Sequence, residues 1–376
     1  MKSSSGKYYI GLDHVRAVAA FAVFTWHFIH VSEGHLAPPP VFPLSLLSEG
    51  HTGVALFMAL SGYLFAKLLD GKKINYASFI WNRFLRLAPL LILVILLVGY
   101  QTYLSGDDLF IYAKSIVAGI VEPSLPNGGW SITIEFHFYL LLPFLLFLSR
   151  KSKYSLILVL TTAVIGRSFL HQELGQIQTL AFATIIGRVD QFLLGIIAYQ
   201  FRSFFTDKHI FIFCLFVFFA AFYWYFDLCG GFYNSPSYPS PSTMWIYIPT
   251  IEGIAYASMI AWYDNSFTHS TGKISRFVAL VGTYSYSIYL LHFFVVFRLS
   301  EAINTHLINL SNIYRAMLLS PICFLLMVPV GYVSYRFVES PFLKLRTVYI
   351  VAEPAATTQS AITDEDCLTK GSSGRL

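Results

Sequence analysis

The run Ile10-Gly-Leu-Asp-His-Val-Arg16-Ala-Val-Ala-Ala-Phe-Ala-Val-Phe-Thr-Trp-His27-Phe-Ile-His-Val31 decides the fold class. A membrane-spanning helix needs about 20 consecutive apolar residues, and this run supplies them while carrying Arg16 and His27. We read it as a retained first helix and not as a cleavable signal. The rest of the chain is of the same kind. Of its 376 residues 56% are hydrophobic and only 12% charged, against roughly 45–50% and about 25% in a soluble domain, and the mean hydropathy is +0.62. The expected class is therefore an all-α, polytopic membrane bundle, with no room for a sizeable water-soluble domain beside it. A net charge of +5 would suit nucleic acid, but the basic residues sit between apolar runs and mark topology instead. No nucleic-acid partner is expected.

Apolar runs of spanning length fall at about 10–31, 51–69, 84–104, 130–149, 154–171, 180–201, 209–228, 243–263, 278–300 and 313–336, which predicts ten transmembrane helices. One set of connections holds Lys67, Lys72, Lys73, Arg83 and Arg86, then Arg150, Lys151 and Lys153, Arg202 and Lys208, and Lys273 and Arg276. Lys2, Lys7, Arg336, Lys344 and Arg346 flank the two ends. The alternate links 32–50, 172–179, 229–242 and 301–312 contain no Lys or Arg, and 105–129 contains only Lys114. Both termini are therefore expected in the cytoplasm. The outer links are the Pro-, Gly- and aromatic-rich ones, such as Ala37-Pro-Pro-Pro40 and the stretch Gly230 to Pro241; they read either as ordinary turns or as a frame for an acceptor. Cys214, Cys229, Cys323 and Cys367 show no paired spacing, so neither a disulfide framework nor a zinc site is expected. No internal repeat is visible. Residues 1–346 are expected to form the membrane domain and 347–376 a disordered cytoplasmic tail, whose final Gly-Ser-Ser-Gly-Arg-Leu reads as an expression scar.

Ionisable groups inside a bilayer cost several kcal/mol unless they face a wet or paired interior, so each is a functional candidate. Arg16 and His27 lie eleven residues apart, three helical turns plus about 20°, which puts them on one face roughly 16 Å apart. That geometry suits a coenzyme A held by its phosphates near the cytoplasm, its pantetheine arm carrying a thioester toward a basic imidazole near the other surface. Taken singly, Arg16 also reads as a snorkelling anchor and His27 as a helix–helix hydrogen bonder. Glu135, in Trp130-Ser-Ile-Thr-Ile-Glu135-Phe-His137-Phe-Tyr139, is expected at nearly the depth of His27, where it either orients the imidazole or pairs with His137 or an arginine. Arg83 and Arg86, at i and i+3, read equally as a phosphate clamp and as topogenic charges.

Arg188 and Asp190 fall near mid-bilayer and either line a polar interior or form structural ion pairs. His292, in Tyr284-Ser-Tyr-Ser-Ile-Tyr-Leu-Leu-His292, is a second candidate for the outer half of the interior, with packing as the blander alternative. Ser61-Gly62 permits close approach of a helix or of a pantetheine chain. His27, His30, His35 and His51 lack a spaced carboxylate partner, so no metal is expected.

Taken together, these segments resemble the acyltransferase-3 family of bacterial membrane O-acyltransferases. The resemblance is carried, in order along most of the chain, by Gly11-Leu-Asp13-His-Val-Arg16…His27, which is the family's R-x10-H, by Leu56-Phe-Met-Ala-Leu-Ser61-Gly62-Tyr-Leu, and by Phe79…Arg83-Phe-Leu-Arg86-Leu-Ala-Pro89. Trp130-Ser-Ile-Thr-Ile-Glu135…Phe138-Tyr139, Gly187-Arg188-Val-Asp190-Gln-Phe-Leu-Leu-Gly195 and Thr283…His292 complete it. It implies an acyl-coenzyme A donor such as acetyl-coenzyme A, His27 as the catalytic histidine, Glu135 as a nearby essential acid, and Arg16, Arg83 and Arg86 as donor-binding groups, with Ser61 and Gly62 beside them. A carbohydrate acceptor is expected, with Trp130, His137, Arg188, Asp190 and His292 as acceptor-side candidates on the reading of the residues, together with a multi-pass place in the bacterial inner membrane. Where the family often reads Glu-Glu-Gln, this chain has Glu135-Phe-His137, so no role of a second carboxylate carries over. Some family members carry a further soluble domain; here the membrane module alone is expected.

The mechanism this implies is deprotonation of an acceptor hydroxyl by His27 and direct attack on the thioester, with an acyl-enzyme left open. Two rivals stand beside it. A secondary transporter or exporter of a lipid-linked sugar would show repeated halves or paired broken helices, which the sequence lacks. The other, unrelated type of membrane-bound O-acyltransferase would show an Asn and His pair in a long apolar stretch. The sequence does not choose among acceptor sugars, between acetyl and longer acyl groups, or among oligomeric states.

Overall fold

The computed structural model describes residues 9–30, 39–152 and 154–351. Lys2, Lys7, the first part of the 32–50 link with His35, Lys153, and the tail beyond Val351 with Cys367 lie outside the described residues.

Each of the ten apolar runs falls on helix. The main helices are α1 (Ile10–Ile29), α2 (Gly53–Leu69), α3 (Tyr76–Leu104), α4 (Leu109–Ala118), α5 (Trp130–Lys151), α6 (Ser155–Leu174), α7 (Ile185–Gln200), α8 (His209–Leu228), α9 (Met244–Ser266), α10 (Lys273–Thr283), α11 (Ser285–Leu291), α12 (Val296–His306) and α13 (Ile313–Ser334). Polar caps set several of the starts. Asn75, Asp108, Thr184 and Asn312 each accept a hydrogen bond from the first-turn amides of α3, α4, α7 and α13, which satisfies donors that a helix cannot pair internally.

Among the described residues six helices are long and apolar enough to cross a membrane, and α10 with α11 and its short continuation to Phe294, bent by 51°, passes the same test as a pair, which makes seven if the pair is one broken span. The protein is a multi-pass membrane protein. Three of the ten runs fall short of that measure for physical reasons. α7 has 16 residues, while α1 carries Asp13 and Arg16 and α9 carries Glu252 and Asp264. These are central helices: α1 packs on α2 and α10, and α7 on α2 and α9. Apolar side chains on α3, α8 and α13, among them Leu96, Phe213, Phe218 and Leu326, are turned outward, as a helix facing lipid requires.

Close crossings at the centre depend on missing side chains. A Cβ on Gly62 of α2 would collide with the Phe192 carbonyl of α7, and one on Gly195 of α7 with the Ala59 carbonyl of α2. Gly62, expected beside the donor, thus serves helix packing.

The mid-bilayer charges are paired across helices. Arg167 of α6 grips both oxygens of Asp190 at 2.9 and 2.6 Å, and Arg188 lies 3.2 Å from Glu252 of α9. Arg188 also donates to the Phe182 carbonyl at 2.7 Å, and Gln191 donates to Glu252 at 2.7 Å. All four ionic side chains are buried. Arg188 and Asp190, which the sequence offered either as lining a polar interior or as structural ion pairs, are ion-paired and tie α7 to α6 and α9.

After α13 the chain makes a π-helical turn, Tyr335–Glu339, and a last short helix, α14 (Ser340–Leu343). Strand β2 (Ile350–Val351) then pairs antiparallel with β1 (Lys73–Ile74), between α2 and α3. Of Thr347 to Val351, assigned to the tail from sequence, Tyr349 is buried and its ring meets Phe79 at 5.5 Å, while Thr347, Val348 and Val351 are exposed.

Candidate active site

Among the described residues, two of the cavities take side chains from α1. The first, of about 120 Å³, is lined by Arg16, Ser61, Arg83, Arg86, Glu135 and Tyr139 among others. Four of the sequence-predicted donor-side residues and the predicted acid are thus brought to one place from α1, α2, α3 and α5. The second, of about 730 Å³, is lined by His27 and by an aromatic set that includes Trp26, Trp130, Phe232, Tyr233 and Tyr238. Val54 and Tyr289 face both cavities. Arg16 and His27, roughly 16 Å apart along one helix face, therefore sit in adjoining chambers that share a wall.

In the first cavity Arg16 is ion-paired to Asp13 one turn earlier, and Arg86 lies 3.5 Å from Glu339. Glu339 is buried and also accepts from the Ser287 hydroxyl. The π turn that ends at Glu339 widens the helix where a side chain must be re-aimed inward. Arg83 stacks over Phe65 at 5.3 Å and Phe79 at 5.6 Å, and its Nε is buried without a hydrogen-bond partner among the described residues. Glu135 accepts from Ser61 at 3.3 Å and from the Tyr139 hydroxyl. It does not orient His27, as equal depth had suggested; it is turned to the arginine side.

The imidazole has a different partner. His27 Nδ1 is 2.9 Å from the Val23 carbonyl and 3.1 Å from His292 Nε2, while His292 Nδ1 is 3.1 Å from the Ile288 carbonyl. A carbonyl oxygen only accepts, which assigns a proton to Nδ1 of each ring. His292 Nε2 is then an acceptor for the His27 Nδ1–H, and His27 Nε2 keeps its lone pair. The bend between α10 and α11 delivers His292, along with Tyr286 and Tyr289, to the interior.

The aromatic chamber is closed by the link 229–242, whose composition had suggested either turns or an acceptor frame. Gly230 turns it at φ +104°. Gln178 then clamps it, donating to the Phe232 carbonyl at 2.9 Å and accepting from the Ser240 amide at 2.5 Å. Trp130 meets Phe182 at 4.8 Å on the opposite wall. His51, which the sequence offered only among candidate metal ligands, lines this chamber as well. Its ring nitrogens and Trp26 Nε1 are buried without hydrogen-bond partners among the described residues; His51 Nε2 stands 3.2 Å from Glu49 Oε2 but without hydrogen-bond alignment. His137 lies outside both cavities, against the Ile120 carbonyl at 2.9 Å.

Sequence reasoning missed Glu339, Arg167 and Glu252. All three are ionisable residues in or beside apolar runs, which was the signal available. His51, at the start of the run 51–69, carried the same signal, whereas Tyr289 carried none, because only tertiary packing turns it toward a cavity.

The acyltransferase-3 family model, described as an acyltransferase domain, matches residues 9–336. A Staphylococcus aureus (strain COL) protein named "Putative O-acetyltransferase" is 26% identical over 90% of this chain and 58% of its own length. The O-acetyltransferase OatA of Staphylococcus aureus (strain NCTC 8325) is 25% identical over 91% of this chain and 58% of its own length. This chain thus spans 58% of the length of these curated relatives. No solved structure matches it. With the family model covering residues 9–336, the chain belongs to the acyltransferase-3 family.

Proposed function

We propose that the protein transfers an acetyl or other small acyl group from cytoplasmic acyl-coenzyme A to a hydroxyl of a carbohydrate, a surface polysaccharide or its lipid-linked precursor, at the outer face of the bacterial inner membrane. The observation that carries this reading is the pair of cavities meeting at Val54 and Tyr289, one faced by arginines and the other by His27. Ten spans with both termini inside would place the Arg83 end in the cytoplasm, as the Lys and Arg distribution favours.

In this scheme Arg83, Arg86 and Arg16 hold the donor's phosphates through charge-assisted bonds. The pantetheine arm passes Ser61 and Glu135 and brings the thioester to the shared wall. The acceptor enters the aromatic chamber, where flat rings suit the C–H faces of a sugar, and His51 Nδ1 and Trp26 Nε1, which have no hydrogen-bond partner among the described residues, suit its hydroxyls. His27 Nε2 takes the hydroxyl proton as the oxygen attacks the thioester carbon. The new C–O bond forms, the C–S bond breaks, and the departing thiolate receives that proton from the imidazolium. His292 Nε2 and the Val23 carbonyl accept from Nδ1–H throughout and favour the charged ring while it lasts.

The test is to incubate the purified full chain with radiolabelled acetyl-coenzyme A and candidate glycans, with His27→Ala as control. Label should move to glycan with wild type and fall by at least about 100-fold in the variant, the scale of general-base catalysis. Full activity in a folded His27→Ala protein would sink the assignment. Absence of coenzyme A binding would move the reading to a transporter.

A further inference from the structure

The segment that follows the last helix is built into the arginine site. Asn82, buried one residue before Arg83, donates from Nδ2 to the Thr347 carbonyl at 2.6 Å and accepts from the Thr347 amide at 3.0 Å. The Asn75 amide donates to the Tyr349 carbonyl at 2.8 Å. Phe79 lies against the Tyr349 ring on one side and the Arg83 guanidinium on the other. Residues 344–351 therefore form a strap across the end of α3, and this strap carries Arg346.

Arg346 is half-buried, and its Nε, like that of Arg83, is enclosed without a hydrogen-bond partner among the described residues. Burial, followed by the neighbouring Arg83 and Arg86 cations, holds its guanidinium down to about 9. Around this mouth three guanidinium groups meet two carboxylates, Glu339 and Glu135, and Glu135 is already turned to Ser61 and Tyr139. A fold does not pin a third cation beside two others without an anion to share, because like charges packed together are costly. The family model ends at residue 336, so the strap lies beyond it.

We propose that Arg346 is the third arm of a phosphate-ester site with Arg83 and Arg86, its reach fixed by Asn82. The inference rests on the donor reading above and adds to it: the ligand is a phosphate or diphosphate group at the mouth of the first cavity. Three arginines in fork geometry suit a ligand with several phosphate oxygens better than a single carboxylate does.

The experiment measures binding of coenzyme A, pantetheine and inorganic pyrophosphate to the full chain in nanodiscs. Wild type should bind coenzyme A and pyrophosphate. Arg346→Gln should weaken both about tenfold or more and leave pantetheine unchanged, Arg346→Lys should recover part of the loss, and Asn82→Ala, which frees the strap while Arg346 remains, should act in the same direction as Arg346→Gln. Pyrophosphate binding that depends on Arg346 without any coenzyme A binding would uphold the anion site while removing the donor reading. Equal affinities of wild type and Arg346→Gln for both anions, or an equal loss for pantetheine, would overturn the proposal. So would pyrophosphate binding that disappears only in phosphatidylglycerol discs, since the cluster would then belong to lipid headgroups.

Discussion

Replacing His292 with Ala isolates the histidine pair. The variant removes the acceptor 3.1 Å from His27 Nδ1 and leaves the Val23 carbonyl at 2.9 Å. During transfer His27 carries a positive charge, and a hydrogen bond to a charged group contributes about 1.5–3 kcal/mol. The remaining Val23 bond offsets part of the loss, so the lower end applies, and kcat should fall about tenfold. The donor's KM should not change, because His292 is not on the first cavity's wall. His292→Gln, which keeps an acceptor oxygen, should recover part of the rate. Adding His292→Ala to His27→Ala should cost nothing further, since the two rings act as a unit. Initial rates with labelled acetyl-coenzyme A and a fixed glycan would compare the four variants with wild type. An unchanged kcat in folded His292→Ala, or full additivity in the double variant, would refute the pairing.

Two further outcomes follow from the same geometry. Arg83→Ala should raise the KM for acetyl-coenzyme A at least about tenfold while changing kcat little, because a charge-assisted bond of about 1.5–3 kcal/mol is lost from binding; a kcat effect alone would contradict its place in the donor cavity. Asp190→Ala should act on stability and not on substrate, leaving Arg167 buried and unpaired at a cost of about 3–5 kcal/mol, read as a large drop in the thermal unfolding midpoint in detergent; an acceptor KM effect in a fully stable variant would restore its predicted binding role.

What the sequence made legible was what depends on one helix at a time. The spacing of Arg16 and His27 is a property of a single α-helix, and the structure keeps them on one face, in adjoining cavities. Arg83 and Arg86, one turn apart on α3, arrived together for the same reason. Pairings between helices were not legible. Glu135 and His27 have similar expected depths, but depth says nothing of the direction in which a side chain points around its helix, and Glu135 points to Ser61. Arg188 and Asp190 stand at i and i+2, which places them on different sides of α7, so their partners had to come from two other helices; nothing in the sequence ranked Glu252 or Arg167 among the alternatives. The strap was hidden more deeply still. Its attachment rests on one buried asparagine and a two-residue strand pair, neither of which leaves a periodic signal.

The central claim is that donor and acceptor reach one reaction centre from opposite ends of the bundle. Reconstituting the protein in sealed vesicles, with acetyl-coenzyme A confined to the compartment facing the Arg83 end and glycan to the other, tests it most directly. The proposed arrangement predicts acetylated glycan at a rate that His27→Ala abolishes. Product only when donor and glycan share one compartment would contradict it.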